Sequence, residues 1–169
     1  RYNLCYLMRS EAFKLAGANP QSVAENSLSQ NPYLRSIFEQ AEFIFEKPLS
    51  IAQVYFKPRK QVINHLLLLG DASGVIPPLC GNGMSMGLHA ARILEILMAD
   101  FLQGKVQRSE LEKTYQEQWR QSFSQRLRVG RLLQHSFGKR IPTELLIRTL
   151  RPFPAGTKNL IALTHGEVF

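Results

Sequence analysis

Cysteine is almost missing from this 169-residue chain, with Cys5 and Cys80 the only two. Two thiols build no disulfide framework and no four-thiolate metal site. Long apolar runs are missing as well. The longest is the four leucines at 66–69, far below the roughly 20 residues that cross a bilayer. No charged leader followed by an apolar segment and a cleavage site is present, so secretion has no support and a cytoplasmic protein is expected. His135 and His165 have no partner at metal-ligand spacing, so no metal is expected. A Gly-x-Ser-x-Gly elbow, a phosphate loop and a His-Glu-x-x-His site are all lacking. Acidic residues are few, 13 against 21 Lys and Arg.

What is present points to a folded chain. Hydrophobic residues make up 44% and charged residues 20%, which argues against disorder and fibrous structure. The length suits one domain with a real core or part of something larger. The chain begins at Arg1 and enters strand-like sequence at once, which reads as a fragment or a processed product. The basic excess is concentrated in residues 105–151, where eleven Lys and Arg face four Glu. Such a segment can attract nucleic acid, anionic lipid or an anionic cofactor, although a solvated helical face explains it as well. No zinc-finger, recognition-helix or aromatic RNA-binding signature accompanies it, so nucleic acid is not expected.

Aromatic and aliphatic residues at 2–8 predict a strand, with Cys5 in its core. Asn19-Pro20 and Asn31-Pro32 predict two helix starts, with Asn capping and Pro at the first helical position. The helices themselves are expected at 23–29 and 34–41. Residues 49–56 predict another strand, followed by a charged turn at 57–60. The apolar run at 62–69 predicts a strand covered on both faces, as in a parallel sheet. Glycines, prolines and small residues then exclude regular structure over 71–83. A long, mostly buried helix is expected at 84–102. Ser109-x-x-Glu112 matches a capping box that would open a second long helix. Leu111, Tyr115, Trp119, Phe123 and Leu127 recur every four residues on its packing face, and it is expected to run on to about Phe137. Shorter helices are expected at 143–150, stopped by Pro152, and at 159–163.

The segment from 66 to 91 carries the chemistry. It reads as a buried strand, one acidic residue, a glycine-proline loop and a helix. Asp71 stands at the strand's carboxyl end, where open α/β sheets place ligands, and its carboxylate suits the hydroxyls of a ribose or ribityl chain. Gly81 and Gly83 let the backbone approach a ligand closely. Free N–H groups and a partial positive charge at the helix start near Gly83 and Met84 would hold a ligand that carries or develops negative charge.

This string resembles the second FAD-binding motif of the glutathione-reductase-type flavoproteins. The branch it is most similar to holds para-hydroxybenzoate hydroxylase, the ubiquinone-biosynthesis hydroxylases, the flavin halogenases and the geranylgeranyl reductases. In that branch a Gly-Asp pair ends a strand, a proline follows after a short spacer, and a Gly-x-Gly turn opens a long helix. Gly70-Asp71, Pro78, Gly81, Gly83 and Met84 stand at those places. The strand-like Asn3–Leu7 stretch, the segment around Asn31-Pro32 and the closing Thr164-His165-Gly166 are similar to flanking sequence in the same branch.

The resemblance implies a cofactor site made of Gly70, Asp71, Pro78, Gly81, Asn82, Gly83, Met84 and Ser85. Asp71 would bond the ribityl hydroxyls of FAD and Pro78 would lie against the isoalloxazine. The amides of Gly83, Met84 and Ser85 would face the pyrimidine end of the ring, where reduction places negative charge. It further implies an α/β or α+β fold, seen as a C-terminal part. Residues 1–60 would end a substrate domain, 61–104 would end the FAD domain with its last strand and a long buried helix, and 105–169 would form a basic helical region. The implied activity is that of a monooxygenase (hydroxylase) or C=C reductase acting on a small hydrophobic or aromatic substrate, with NAD(P)H as electron donor. No catalytic acid or base is assigned. The N-terminal Gly-x-Gly-x-x-Gly turn and the middle Asp-Gly motif of that branch are not found, so the missing FAD-binding half is an expected partner and this part alone is expected to be inactive. The rival reading is a non-enzymatic basic helical interaction domain that binds an acidic partner or a membrane surface.

Cys80 is expected to be a small buried thiol, although redox or flavin-attachment roles are open to it. His65 and His89 are read as structural. Tyr115 and Trp119 are read as packing residues.

Overall fold

The computed structural model describes residues 4–45, 49–51, 54, 56–137 and 139–165. They form seven helices and one small antiparallel sheet of two strands. The chain divides into two compact units, Arg1–Val54 and Tyr55–Phe169.

The first unit contains α1 (Ser10–Leu15), α2 (Pro20–Asn26) and α3 (Pro32–Gln40), with a 3-10 turn at Leu28–Gln30 between the last two. Both Asn-Pro starts form as the sequence dictates. Asn19 accepts from the Gln21 N–H and Asn31 from the Tyr33 N–H, each at 3.0 Å, so each side chain satisfies an orphan donor of its helix. The strand expected at 2–8 does not form over its described residues, and Cys5 is exposed rather than in a core. Among the described residues no neighbouring strand pairs with it, and β-propensity without a partner orders nothing. Of the strand expected at 49–56, positions 52, 53 and 55 lie outside the described residues, and the rest carry no regular structure.

In the second unit the apolar run is not one strand. It folds into a hairpin of β1 (Val62–Ile63) and β2 (Leu66–Leu67), paired Val62 to Leu67 and Ile63 to Leu66. Asn64 and His65 form the two-residue turn with φ of 48° and 64°. Two successive positive φ values match the right-handed twist of a tight hairpin, and Asn is among the residues that tolerate them. The run is therefore not covered on both faces. Ile63 and Leu66 are exposed.

A loop with two 3-10 turns (Gly70–Ala72 and Pro78–Cys80) leads into α4 (Gly83–Leu102). A short connection follows, and then α5 (Arg108–Ser136), α6 (Arg140–Leu150) and α7 (Pro154–His165). The core forms where α4 meets α5. Met86, Ala90 and Ile93 from α4 pack with Tyr115, Trp119 and Phe123 from α5, together with Ile76 and Cys80 from the loop. The four-residue repeat on α5 thus has the predicted role, and Leu111 is buried with it.

Two expectations about these helices fail. α4 is not mostly buried, because Met84 (87% exposed), Leu88 (66%) and Leu102 (76%) stand open to solvent. One helical partner covers only one stripe of a helix that is apolar nearly all round. The capping box does not form either. α5 starts at Arg108, and its N-cap Gln107 makes no side-chain cap. The Glu112 carboxylate is drawn elsewhere, accepting from Arg108 Nε at 3.0 Å and meeting His65 Nδ1 at 2.9 Å. These two partners hold Glu112 below the usual carboxylate range.

Candidate functional site

The loop from Gly70 to Asn82 owes its shape to α5, which offers it a residue about once per turn. Tyr115 donates its hydroxyl to the Leu68 carbonyl at 2.6 Å, at the end of the hairpin. One turn on, Trp119 Nε1 donates to Ser73 Oγ at 3.1 Å, and Ser73 Oγ donates to the Gly70 carbonyl at 2.8 Å. From the other side Gln61, itself buried, donates Nε2 to the carbonyl of Ser73 at 3.3 Å. Further along α5, a Cβ at Gly130 would stand only 3.1 Å from Cys80 Sγ and from Pro77 Cδ. The second half of the loop therefore rests directly on helix backbone.

Close approach governs Gly74 in the same way. A Cβ there would come within 2.8 Å of the Trp119 ring. Gly74→Ala is expected to push on a buried indole that has little room to yield, and to cost about 1–3 kcal/mol. Chemical denaturation read by Trp119 fluorescence measures it, and an unchanged midpoint refutes the packing argument.

The predicted site residues are strung along this loop. Gly70 and Asp71 open the first 3-10 turn, three residues past the end of β2. Asp71 is exposed. Gly70 lies against the second turn of α4, where a Cβ at Gly87 would be 3.6 Å from its Cα. Pro78 begins the second 3-10 turn with its ring exposed. Gly81 ends that turn at φ 69°, a left-handed conformation that favours glycine. Asn82 is buried, and Met84 and Ser85 are exposed on the first turn of α4.

The start of α4 is open. Asn82 stands at the N-cap position but makes no side-chain cap. The first backbone bond closing the helix runs from the Met86 N–H to the Asn82 carbonyl. The amides of Gly83, Met84 and Ser85 are thus the uncapped donors that every helix start exposes. Asn82 is turned to another task. Its Nδ2 donates to the carbonyl of Thr164, a buried residue near the end of α7, at 2.5 Å. Its Oδ1 is buried without a hydrogen-bond partner. A buried amide oxygen with nothing donating to it is a costly arrangement, and one of the marks of a site that awaits a donor.

Cys80 and His89 beside the loop are held toward their neutral forms. Burial raises the Cys80 thiol above its ordinary value, so it is a packed thiol rather than a reactive thiolate, as expected for this position. His89, one turn past Ser85, packs edge-on against Phe123 with ring centroids 5.1 Å apart. Burial, and after it the nearby Arg126 guanidinium, hold His89 below the usual imidazole range. Arg126 is itself buried and lies over the other partner of that ring stack, 5.4 Å from the Phe123 centroid.

Sequence reasoning finds the loop but not what shapes it. Gln61 and Ser73 carry no motif. Tyr115 and Trp119 have a signal, their helical spacing, but it speaks only of packing and not of the hydrogen bonds they donate into the loop. Among the described residues there is no cluster of His, Cys, Asp or Glu fit to hold a metal ion, and no helix long and apolar enough to cross a membrane. Comparison with protein-family models, curated proteins and solved structures finds no match to this chain.

Proposed function

We propose that this chain is the C-terminal part of an FAD-dependent oxidoreductase, a hydroxylase or C=C reductase, in which the loop and helix start from Gly70 to Ser85 hold the ribityl–isoalloxazine half of the cofactor. The observation that carries the reading is the uncapped start of α4. Three successive amides are open there, since no side chain caps the helix and Asn82 points its Nδ2 to the Thr164 carbonyl. The orphaned Asn82 Oδ1 and the exposed Asp71 carboxylate on the same loop add an acceptor pair that suits hydroxyl and imide donors. These groups fit a ring that accepts hydrogen bonds along its pyrimidine edge and gains negative charge on reduction.

Each residue then has a defined task. Asp71 accepts from the ribityl hydroxyls. The amides of Gly83, Met84 and Ser85 donate to the pyrimidine edge, and the α4 dipole adds about 0.3–1 kcal/mol of preference for negative charge there. Pro78 offers an apolar surface beside the ring. FAD, when bound, supplies the hydride and oxygen chemistry, with NAD(P)H as its reductant and a hydrophobic or aromatic small molecule as substrate.

A sharp expectation follows from the lack of a Gly-x-Gly-x-x-Gly turn in the chain. With no pyrophosphate cradle, riboflavin and FAD should bind with equal, weak affinity, and ADP should not compete. In amide-resolved NMR, riboflavin should move the resonances of Gly83, Met84 and Ser85. Asp71→Ala should weaken binding about tenfold, the loss of one hydrogen-bonded charge. Competition by ADP, or unmoved amides at millimolar riboflavin, would overturn the reading.

A further inference from the structure

We propose that the elbow between α6 and α7 is a docking surface for an anionic lipid bilayer. Residues 139–165 carry five Lys and Arg and one acidic residue, Glu144. On α6 the inward positions Thr143, Leu146 and Leu150 are half-buried. The opposite face presents Ile141, 79% exposed, and Leu145, 61% exposed, one turn apart, with Arg148 beside them. Phe153 is exposed in the elbow itself, and Ile161 on α7.

Between the two helices runs an open groove of about 510 Å³, lined by Leu150, Pro154, Thr157 and Ile161, with Arg151 and Lys158 as its two cations. Among the described residues neither cation is in an ion pair.

Charge complementarity selects the occupant. A nucleic acid would reward the cations but not the four exposed apolar side chains. A neutral apolar partner would reward the side chains but leave the cations facing it unpaired. A bilayer surface with anionic headgroups rewards both. The apolar side chains enter the acyl boundary while Lys and Arg stay at the headgroups. At eleven residues α6 is far too short to span a membrane and suits lying along it. None of its residues belongs to the proposed cofactor loop, although α7 also carries Thr164, to which Asn82 donates. Vesicle binding and riboflavin binding are read separately, so failure of one is distinguishable from failure of the other.

Vesicle co-sedimentation of the full chain tests it. Phosphatidylcholine vesicles are compared with vesicles that also hold about 30 mol% phosphatidylserine, at low salt and at ~0.5 M salt. Binding to the anionic vesicles is expected to exceed binding to the neutral ones at least about tenfold, and to weaken with salt. The double variant Arg151→Gln/Lys158→Gln should lose about 25-fold in partitioning, roughly fivefold for each charge. Ile141→Ser/Leu145→Ser should lose at least about tenfold. All four side chains are exposed, and circular dichroism confirms that the variants keep their helices. Absence of binding to anionic vesicles, equal binding to neutral ones, or variants that bind like the parent would each overturn the proposal. So would retention on duplex DNA with no vesicle binding.

Discussion

Trp119→Ala is expected to lower the stability of the second unit by about 3–5 kcal/mol, the usual cost of emptying a large aromatic from a core. The indole is only 4% exposed and packs edge-on against Phe123 at 5.2 Å. Its Nε1 also supports Ser73, which in turn holds the Gly70 carbonyl. The substitution therefore removes both the filling under Gly74 and the donor that fixes the turn carrying Asp71. With native stabilities of about 5–15 kcal/mol, a loss of this size leaves the unit marginal. Denaturant melts by circular dichroism measure the stability. Ser73→Ala separates the two effects, since it keeps the whole indole under Gly74 and drops only the hydrogen bonds through Ser73 Oγ. A shift below about 1 kcal/mol for Trp119→Ala would show that the α4–α5 interface is not the core described.

Tyr115→Phe should have the second large effect, and a distinctive pH signature. The side chain is fully buried, its hydroxyl donates to the Leu68 carbonyl, and burial pushes its pKa from about 10 up to about 12. A raised value means that the folded protein prefers the neutral phenol. That preference is whole below pH 10, the unfolded value, and is lost as pH rises to about 12, for a change of about 3 kcal/mol across the window. The parent should therefore lose stability steeply in that interval. Tyr115→Phe should cost about 1–3 kcal/mol at neutral pH by removing the donor to Leu68. It should also flatten the alkaline limb, so that the two proteins converge near pH 12. The Cys80 thiol, likewise raised by burial, loses stability in the same direction, and Cys80→Ala subtracts its share. A limb equally steep in parent and Tyr115→Phe would show that this phenol is not the group responsible.

Local signals were legible where the physics is local. Asn-Pro at 19–20 and 31–32 specifies a cap and a pre-set φ within a few residues, and both helices start there. The Leu111–Tyr115–Trp119–Phe123 spacing places one face of α5 against a partner whatever that partner is. Gly81 before a helix start reads as a turn and is one. Most of the misread elements depend on something distant. The apolar run at 62–69 has the composition of a covered strand, and only the two-residue turn at Asn64-His65 reveals a hairpin. Glu112 sits at the correct offset for a capping box, yet a histidine 47 positions away and the neighbouring Arg108 compete for its carboxylate and win. The strand-like residues at 4–8 find no partner strand among the described residues and stay irregular.

The amino-acid order by itself determined the two Asn-Pro helix starts, which stripe of α5 is apolar, and that a glycine-proline loop separates the apolar run at 62–69 from a long helix. These follow from dihedral preference and from periodicity over one or two turns. Tertiary structure alone decided that Tyr115 and Trp119 hold that loop by hydrogen bonds, and that Asn82 reaches Thr164 across 82 positions with its Oδ1 left unpartnered. A buried polar atom takes whichever partner the packing of distant helices brings within reach, and no local pattern encodes that choice.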